Sequence, residues 1–275
     1  MTRFISTKRR PLAVMAAAAA AVTLALTGCA ASTDDAAEGE TITLKVAATT
    51  TPMTDVVQAA AEVIEAPYEI EMVEVADYVQ PNSMLQHGEL DANFVQHPPF
   101  MAEYNAANDA TLVAVEPVYL TQVGMYSSKH GSFDDVPEDG QIVIPQDASN
   151  QARALLMVQA AGLITIDPAV EETVVTVDDV LENPKNLTFT EIDIMSLVSA
   201  YPEADAVFLH PTFARQLELT PEEDALALEQ DEAFAVSLVT REEDADSEAT
   251  SALVDAFHSE GVRAKLEELG VPAAF

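Results

Sequence analysis

The chain has 275 residues, 49% of them apolar and grouped in periodic runs, enough for one large domain or two medium lobes and too many for a disordered chain. Its 12 basic residues face 47 acidic ones, a formal charge of −35 at pH 7. That excludes nucleic acid as a partner, since backbone binding needs clustered Lys and Arg, and it opposes a body lying flat on an anionic membrane.

The first thirty residues read as an export signal. Lys8, Arg9 and Arg10 precede an alanine-rich apolar run that closes on Leu26-Thr27-Gly28-Cys29. These four residues resemble the bacterial lipobox, in which the Cys becomes the first mature residue and carries lipid. Cys29 is the chain's only cysteine, so it has no internal disulfide partner, and lipidation explains an unpaired thiol in an exported protein. The run from Pro11 to Ala25 is short for a spanning helix of roughly 20 residues. Cleavage after residue 28 removes Arg3, Lys8, Arg9 and Arg10 and no acidic residue, so the charge deepens from −35 to −39. Residues 29–40 are small and acidic and read as a flexible tether.

The folded body is expected from residue 41. Thr41 to Ala47 alternates and is β-branched, as a strand does. A turn at Thr50-Thr51-Pro52 leads to a helix with Val56, Val57, Ala60 and Ile64 on its apolar stripe, ended by Pro67. Strands are expected over Tyr68 to Val75, Ala92 to Val95 and Leu112 to Tyr119, with helices over Tyr78 to Gly88 and Phe100 to Ala107. A second cycle starts near Gly124. It has strands at Ile142 to Ile144, Leu187 to Thr190 and Ala206 to Leu209, and a helix over 149–161 capped by Ser149 or Asn150 and ended at Gly162. A strand over Phe234 to Val239 is expected to close the second lobe. Helices follow near Ser247 to Ser259 and Val262 to Leu269. Such strand–helix alternation predicts mixed sheets covered by helices, with ligand sites at strand ends between lobes. The acidic runs at Asp178-Asp179 and Glu242 to Glu248 read as solvated faces, and no Asp-x-Asp-x-Asp calcium loop occurs.

Residues 77–104, DYVQPNSMLQHGELDANFVQHPPFMAEY, closely resemble the NlpA/MetQ family of substrate-binding lipoproteins of methionine-import ABC transporters. So do Gly124-Met125-Tyr126-Ser127, residues 142–164 (IVIPQDASNQARALLMVQAAGLI), Glu182-Asn183-Pro184-Lys185 and Val271-Pro272-Ala273-Ala274-Phe275. The resemblance spans nearly all of the mature body. It implies an α/β, two-lobed periplasmic-binding-protein fold of type II, with a mixed sheet flanked by helices in each lobe and the cleft between them. Lobe 1 would cover 41–123 and lobe 2 124–234, with a return to lobe 1 and the C-terminal helices over 235–275. The implied partners are an amino-acid ligand, a permease with a separate ATPase chain, and the bilayer reached through Cys29. The body would be monomeric and need no cofactor.

Two readings of Arg153 follow from its chemistry. A guanidinium in the first turns of a capped helix can grip a ligand carboxylate, or it can pair on the surface with a local acid such as Asp147. The resemblance implies the ligand role. Asn150 is a cap, a ligand contact or both. Gln96 and His97 follow a strand end that would face the cleft; the resemblance implies that His97 reaches the ligand, and the alternative is a histidine satisfied by backbone near Pro98. Tyr78 would stack along an aliphatic side chain or pack beneath the second strand, and the resemblance implies a binding aromatic there. Phe94 and Tyr126 belong to the site or to the core.

Three departures from the family pattern put methionine itself in question. Pro52-Met53 stands where Pro-His is usual. Leu209-His210-Pro211-Thr212 stands where Ile-Asn-Gly-Asn is typical, which makes His210, with Thr212 nearby, the replacement for an asparagine that holds the ligand's head group. Ile194-Met195-Ser196-Leu197-Val198 replaces Ala-Ala-Gln-Leu-Pro. The remaining expectations are another amino acid, its derivative or a short peptide, and, remotely, a surface lipoprotein without a transport role. No Gly-x-Ser-x-Gly elbow, metal-spaced histidine pair, phosphate loop or dinucleotide loop occurs, so no enzymatic activity is expected.

Overall fold

The computed structural model describes residues 41–229 and 231–275. The expected signal peptide, the expected tether and Cys29 lie outside them. Among the described residues no helix is long and apolar enough to cross a membrane.

Two five-stranded mixed sheets form the frame. The strands are β1 (Ile42–Ala48), β2 (Tyr68–Glu74), β3 (Ala92–Gln96), β4 (Leu112–Tyr119), β5 (Val123–Tyr126), β6 (Gln141–Pro145), β7 (Thr165–Ile166), β8 (Val180–Glu182), β9 (Thr188–Ile192), β10 (Ala206–Leu209), β11 (Ala225–Glu229) and β12 (Val236–Arg241). The first sheet has the order β2-β1-β3-β12-β4 and the second β11-β5-β10-β6-β9; β7 and β8 form a separate hairpin. In the first sheet β1 runs parallel to β2 and β3, while β12 is antiparallel to both β3 and β4. The chain therefore passes to the second sheet between Tyr119 and Val123 and returns between Glu229 and Val236.

The helices are α1 (Met53–Ala61), α2 (Gln80–Gln86), α3 (Pro98–Asn108), α4 (Ala148–Ala160), α5 (Leu197–Ala200), α6 (Pro211–Gln216), α7 (Pro221–Asp224), α8 (Glu248–Phe257) and α9 (Glu260–Glu268). One face of the first sheet packs Val46, Phe94 and Leu238 against α1, α8 and α9. The other packs Ala47 and Val239 against Leu85 and Tyr104 of α2 and α3. The second lobe has one core around Ile142, Ile144, Leu155 and Phe208. Burial on both faces explains why β10 reads as an unbroken apolar run rather than an alternation.

Several expectations change. The strand expected to close the second lobe is β12, and it sits in the middle of the first sheet. Its apolar run is buried on both faces, and such a run does not disclose which sheet it joins. β11 went unread because its neighbour Pro221–Asp224 and its own alanines and leucines carry no clear strand period. The helix expected from Tyr78 begins only at Gln80, because the Asp77 side chain accepts from the Val79 and Gln80 amides and leaves Tyr78 in the preceding loop. The long helix begins at Ala148 and is capped by Asp147, not by Ser149 or Asn150. Gly162 lies just past its end at φ 76°, a conformation that favours glycine. Asp179 and Asp244 are not simply solvated: the first caps Thr176, and the second pairs with Arg241 at 2.5 Å.

Phe94 is wholly buried in the first lobe, edge-on to Tyr119 at 5.7 Å and to Phe257 at 5.0 Å. It supports the site from below and does not line it. Phe94→Ala is expected to cost about 3–5 kcal/mol of stability through the cavity it leaves, measured by urea denaturation of variant and parent. A loss under about 1 kcal/mol would be at odds with this packing.

Candidate functional site

Strand ends and helix starts from both lobes converge on one small cavity. It is lined by Met53, Tyr78, Val95, Gln96, His97, Phe100, Asn150, Ile194, His210 and Val236, and its volume is about 30 Å³. His97 follows β3 and caps α3, Asn150 lies in the first turn of α4, and His210 follows β10 and opens α6.

Asn150 organises the polar side. Its Nδ2 donates to Asp147 Oδ1 at 2.8 Å, and its backbone amide donates to the same atom at 2.9 Å. That turns Asn150 Oδ1 toward the histidines: His97 Nε2 lies 3.2 Å from it and His210 Nε2 3.3 Å. A carbonyl oxygen only accepts, so both rings carry hydrogen on Nε2. His97 Nδ1 then accepts from the Phe100 amide at 3.3 Å, and Nδ1 of His210 is left as an acceptor. Burial, reinforced by the positive charge of Arg153, lowers the His97 pKa to about 3. The same two causes, with His97 itself adding to them, hold His210 well below its ordinary value. Both rings are neutral at physiological pH.

Arg153 lies in the floor between the two crossovers and is 1% exposed. Its Nε and Nη2 donate to Glu229 Oε2 at 2.8 and 2.5 Å, at the end of β11. Nη1 and Nη2 reach the Thr121 hydroxyl and carbonyl at 3.4 and 3.3 Å, in the other crossover. Its guanidinium stacks 4.3 Å over the Phe234 ring. The surface pairing with Asp147 is therefore corrected: the residue is buried and its ion-pair partner is Glu229. Desolvation lowers the Arg153 pKa, opposed by Glu229, while burial raises that of Glu229, opposed by Arg153.

The other expected residues are placed as follows. Tyr78 and Met53 line the cavity, and burial raises the Tyr78 hydroxyl pKa. Gln96 lines it too, but its amide is engaged with two buried asparagines. Asn82 Nδ2 donates to Gln96 Oε1 at 2.8 Å, Gln96 Nε2 donates to Asn93 Oδ1 at 2.9 Å and also to Asn82 Oδ1, and Asn93 Nδ2 donates to Asn82 Oδ1 at 2.8 Å. Thr212 lies outside this cavity and bonds across the lobes, its hydroxyl donating to the Thr51 carbonyl at 2.8 Å. Tyr126 is in the second-lobe core, where burial and nearby Glu222 and Asp224 push its hydroxyl up to about 12. Sequence reasoning missed Asn82, Asn93, Phe100, Val236 and Glu229. It also missed Glu103 of α3, whose carboxylate accepts from the Ala148 and Ser149 amides of α4 at 3.3 and 3.4 Å. Only the tandem amides of Asn82 and Asn93 in apolar surroundings could have signalled a buried network.

An open groove of about 860 Å³ lies outside, lined by small apolar residues with Glu103, Glu116, Glu171 and Glu232. It holds none of the histidines. Among the described residues no group of three or more His, Cys, Asp or Glu is placed to hold a metal ion.

The neutral histidines have a measurable cost in acid. Below pH 6.5 the unfolded chain takes up a proton at His97 and the folded chain does not until about pH 3. Stability is thus undiminished above pH 6.5 and lost as pH falls, on the order of 2 kcal/mol from this residue between 6.5 and 5. His97→Gln is expected to lose that much less than the parent in urea melts compared at pH 7 and pH 5. Equal losses would mean that the ring is solvated and protonates freely.

The family model described as NlpA lipoprotein matches residues 44–272. The methionine-binding lipoprotein MetQ of Bacillus subtilis (strain 168) is 32% identical over 245 residues, 87% of this chain and 89% of that protein. The D-methionine-binding lipoprotein MetQ of Escherichia coli (strain K12) is 34% identical over 244 residues, 87% and 88% of the two chains. A solved nutrient-binding protein of Burkholderia cenocepacia bound to methionine superposes with a TM-score of 0.80 at 31% identity, covering 84% of this chain and all of that one.

Proposed function

The chain belongs to the NlpA lipoprotein family, and from that premise we propose that it is the extracytoplasmic solute-binding lipoprotein of an ABC importer. It captures L-methionine or a related amino acid and delivers it to the permease, whose ATPase is a separate chain. The observation that carries this reading is the enclosed cavity between the lobes, polar at Asn150, His97 and His210 and set over the buried charge of Arg153.

Each residue has a role in that task. Arg153, paired with Glu229 behind the cavity wall, takes the ligand carboxylate by exchanging it for that of Glu229 as the lobes move. Asn150 is held by Asp147 and presents the two imidazoles in one tautomer. Nδ1 of His210 accepts from the ligand's ammonium, the part an asparagine oxygen plays in the family pattern. Tyr78, Met53, Phe100 and Ile194 cover the apolar part. The lobes open and close by bending at the crossovers, and the Thr212–Thr51 and Glu103–α4 contacts form on closure. Outside the described residues, lipid on Cys29 anchors the protein at the outer face of the membrane.

A second reading keeps the transport role and changes the cargo to another amino acid, a derivative or a short peptide. It is favoured by His210, bulkier than the asparagine of the family pattern, in the cavity wall.

Calorimetric titration with L-methionine, D-methionine and the other amino acids tests both readings. Saturable binding is expected, weakened on the order of 100-fold by Arg153→Ala as charge-assisted bonds are lost. His210→Asn is expected to strengthen methionine binding relative to its competitors. No binding by any amino acid would overturn the proposal, and a preference for another amino acid that His210→Asn reverses toward methionine would establish the second reading. In a bacterial host fed labelled palmitate, the parent is expected to take up label and fractionate with membranes, and Cys29→Ala to do neither.

A further inference from the structure

A second cavity, of about 170 Å³, adjoins the central one and shares Met53, Tyr78 and His210 with it. The central cavity, at about 30 Å³, is too small for a whole amino acid. An amino acid whose head group is seated at Asn150 and the histidines must therefore place its side chain elsewhere, and the shared residues lead into the second cavity.

Its apolar walls include Leu120 of the first crossover, Pro211 at the start of α6, and Val271 with Pro272, and Thr121, Gln122 and Thr212 line it as well. The 271–275 segment is firmly placed. The Leu120 amide donates to the Pro272 carbonyl at 2.9 Å, and the Ala274 amide to the Val118 carbonyl at 3.0 Å. Phe275 stacks on His258 at 4.4 Å and lies 4.5 Å under the Arg263 guanidinium. The outer end carries Arg215 and Glu222, both exposed. For scale, a cavity of about 150 Å³ takes a benzene-sized group of about six non-hydrogen atoms.

We infer that the second cavity is the side-chain subsite of the cleft, that Leu120, Pro211 and Val271 set its length, and that the cargo is an amino acid with an unbranched, largely apolar side chain longer than that of methionine. This rests on the reading of the chain as an amino-acid-binding protein. It makes residue 271, which is distant in sequence from the cleft residues, a determinant of specificity.

The test is calorimetry on the full chain in detergent with a homologous series: alanine, 2-aminobutyrate, norvaline, norleucine, 2-aminoheptanoate and 2-aminooctanoate. Affinity is expected to rise about fourfold per added methylene through the longest member, as each is buried. Val271→Trp is expected to end the rise early, with a loss that grows along the series, and Val271→Ala to maintain or steepen it at the long end. A parent that gains nothing beyond norleucine, or a Val271→Trp variant weakened equally for every member, would overturn the subsite while leaving amino-acid binding intact. Failure of every member to bind overturns the amino-acid reading and the subsite with it.

Discussion

The burial of one positive charge between the two crossovers constrains everything around it. Arg153 sits on α4, a helix buried along most of its first three turns, so its guanidinium has no route to water. A charge so placed must be matched by hydrogen bonds and an opposite charge, and removing one partner of such a pair typically costs about 3–5 kcal/mol. Here the partners come from both connections between the lobes, Thr121 from one and Glu229 with Phe234 from the other. The electrostatic requirement thereby becomes a mechanical one. The floor of the cleft is tied to the two segments that must bend if the lobes move.

The same charge also acts on the chemistry above it. Burial first, and the charge of Arg153 second, hold both histidines neutral. Neutral imidazoles have a direction: one nitrogen donates and the other accepts. Asn150, oriented by Asp147, decides which is which. The cleft thus offers a cation, oriented neutral donors and acceptors, and an apolar wall, a combination suited to a zwitterion with an apolar tail. The strongly acidic exterior takes no part in this arrangement.

Much of the frame was legible from local pattern. β4 and β10 lie where their apolar runs place them, and α4, α8 and α9 fall within about two residues of the periodic segments. The resemblance carried by residues 77–104 and 142–164 marked His97, Tyr78 and Arg153, and the helix start marked Asn150; all but Arg153 line the cavity. Phe94 and Tyr126 could not be sorted between site and core from sequence. On a strand buried on both faces, period two does not say which face is the cleft. Gln96 was legible as a cleft residue, but its engagement with Asn82 and Asn93 was not.

By itself the sequence determined the alternation of strands and helices, the acidic exterior, the likeness to the NlpA/MetQ pattern and the residue types available for recognition, because these depend on spacing along the chain. The tertiary structure alone decided that β12 inserts between β3 and β4 in the first sheet, that Glu229 is the partner of Arg153 across 76 residues, and that Val271 shares one cavity lining with Met53 and His210. These follow from long-range strand pairing and from the need to neutralise a buried charge. Neither leaves a periodic trace, because the partners are chosen by where the chain returns and not by how far along it they lie.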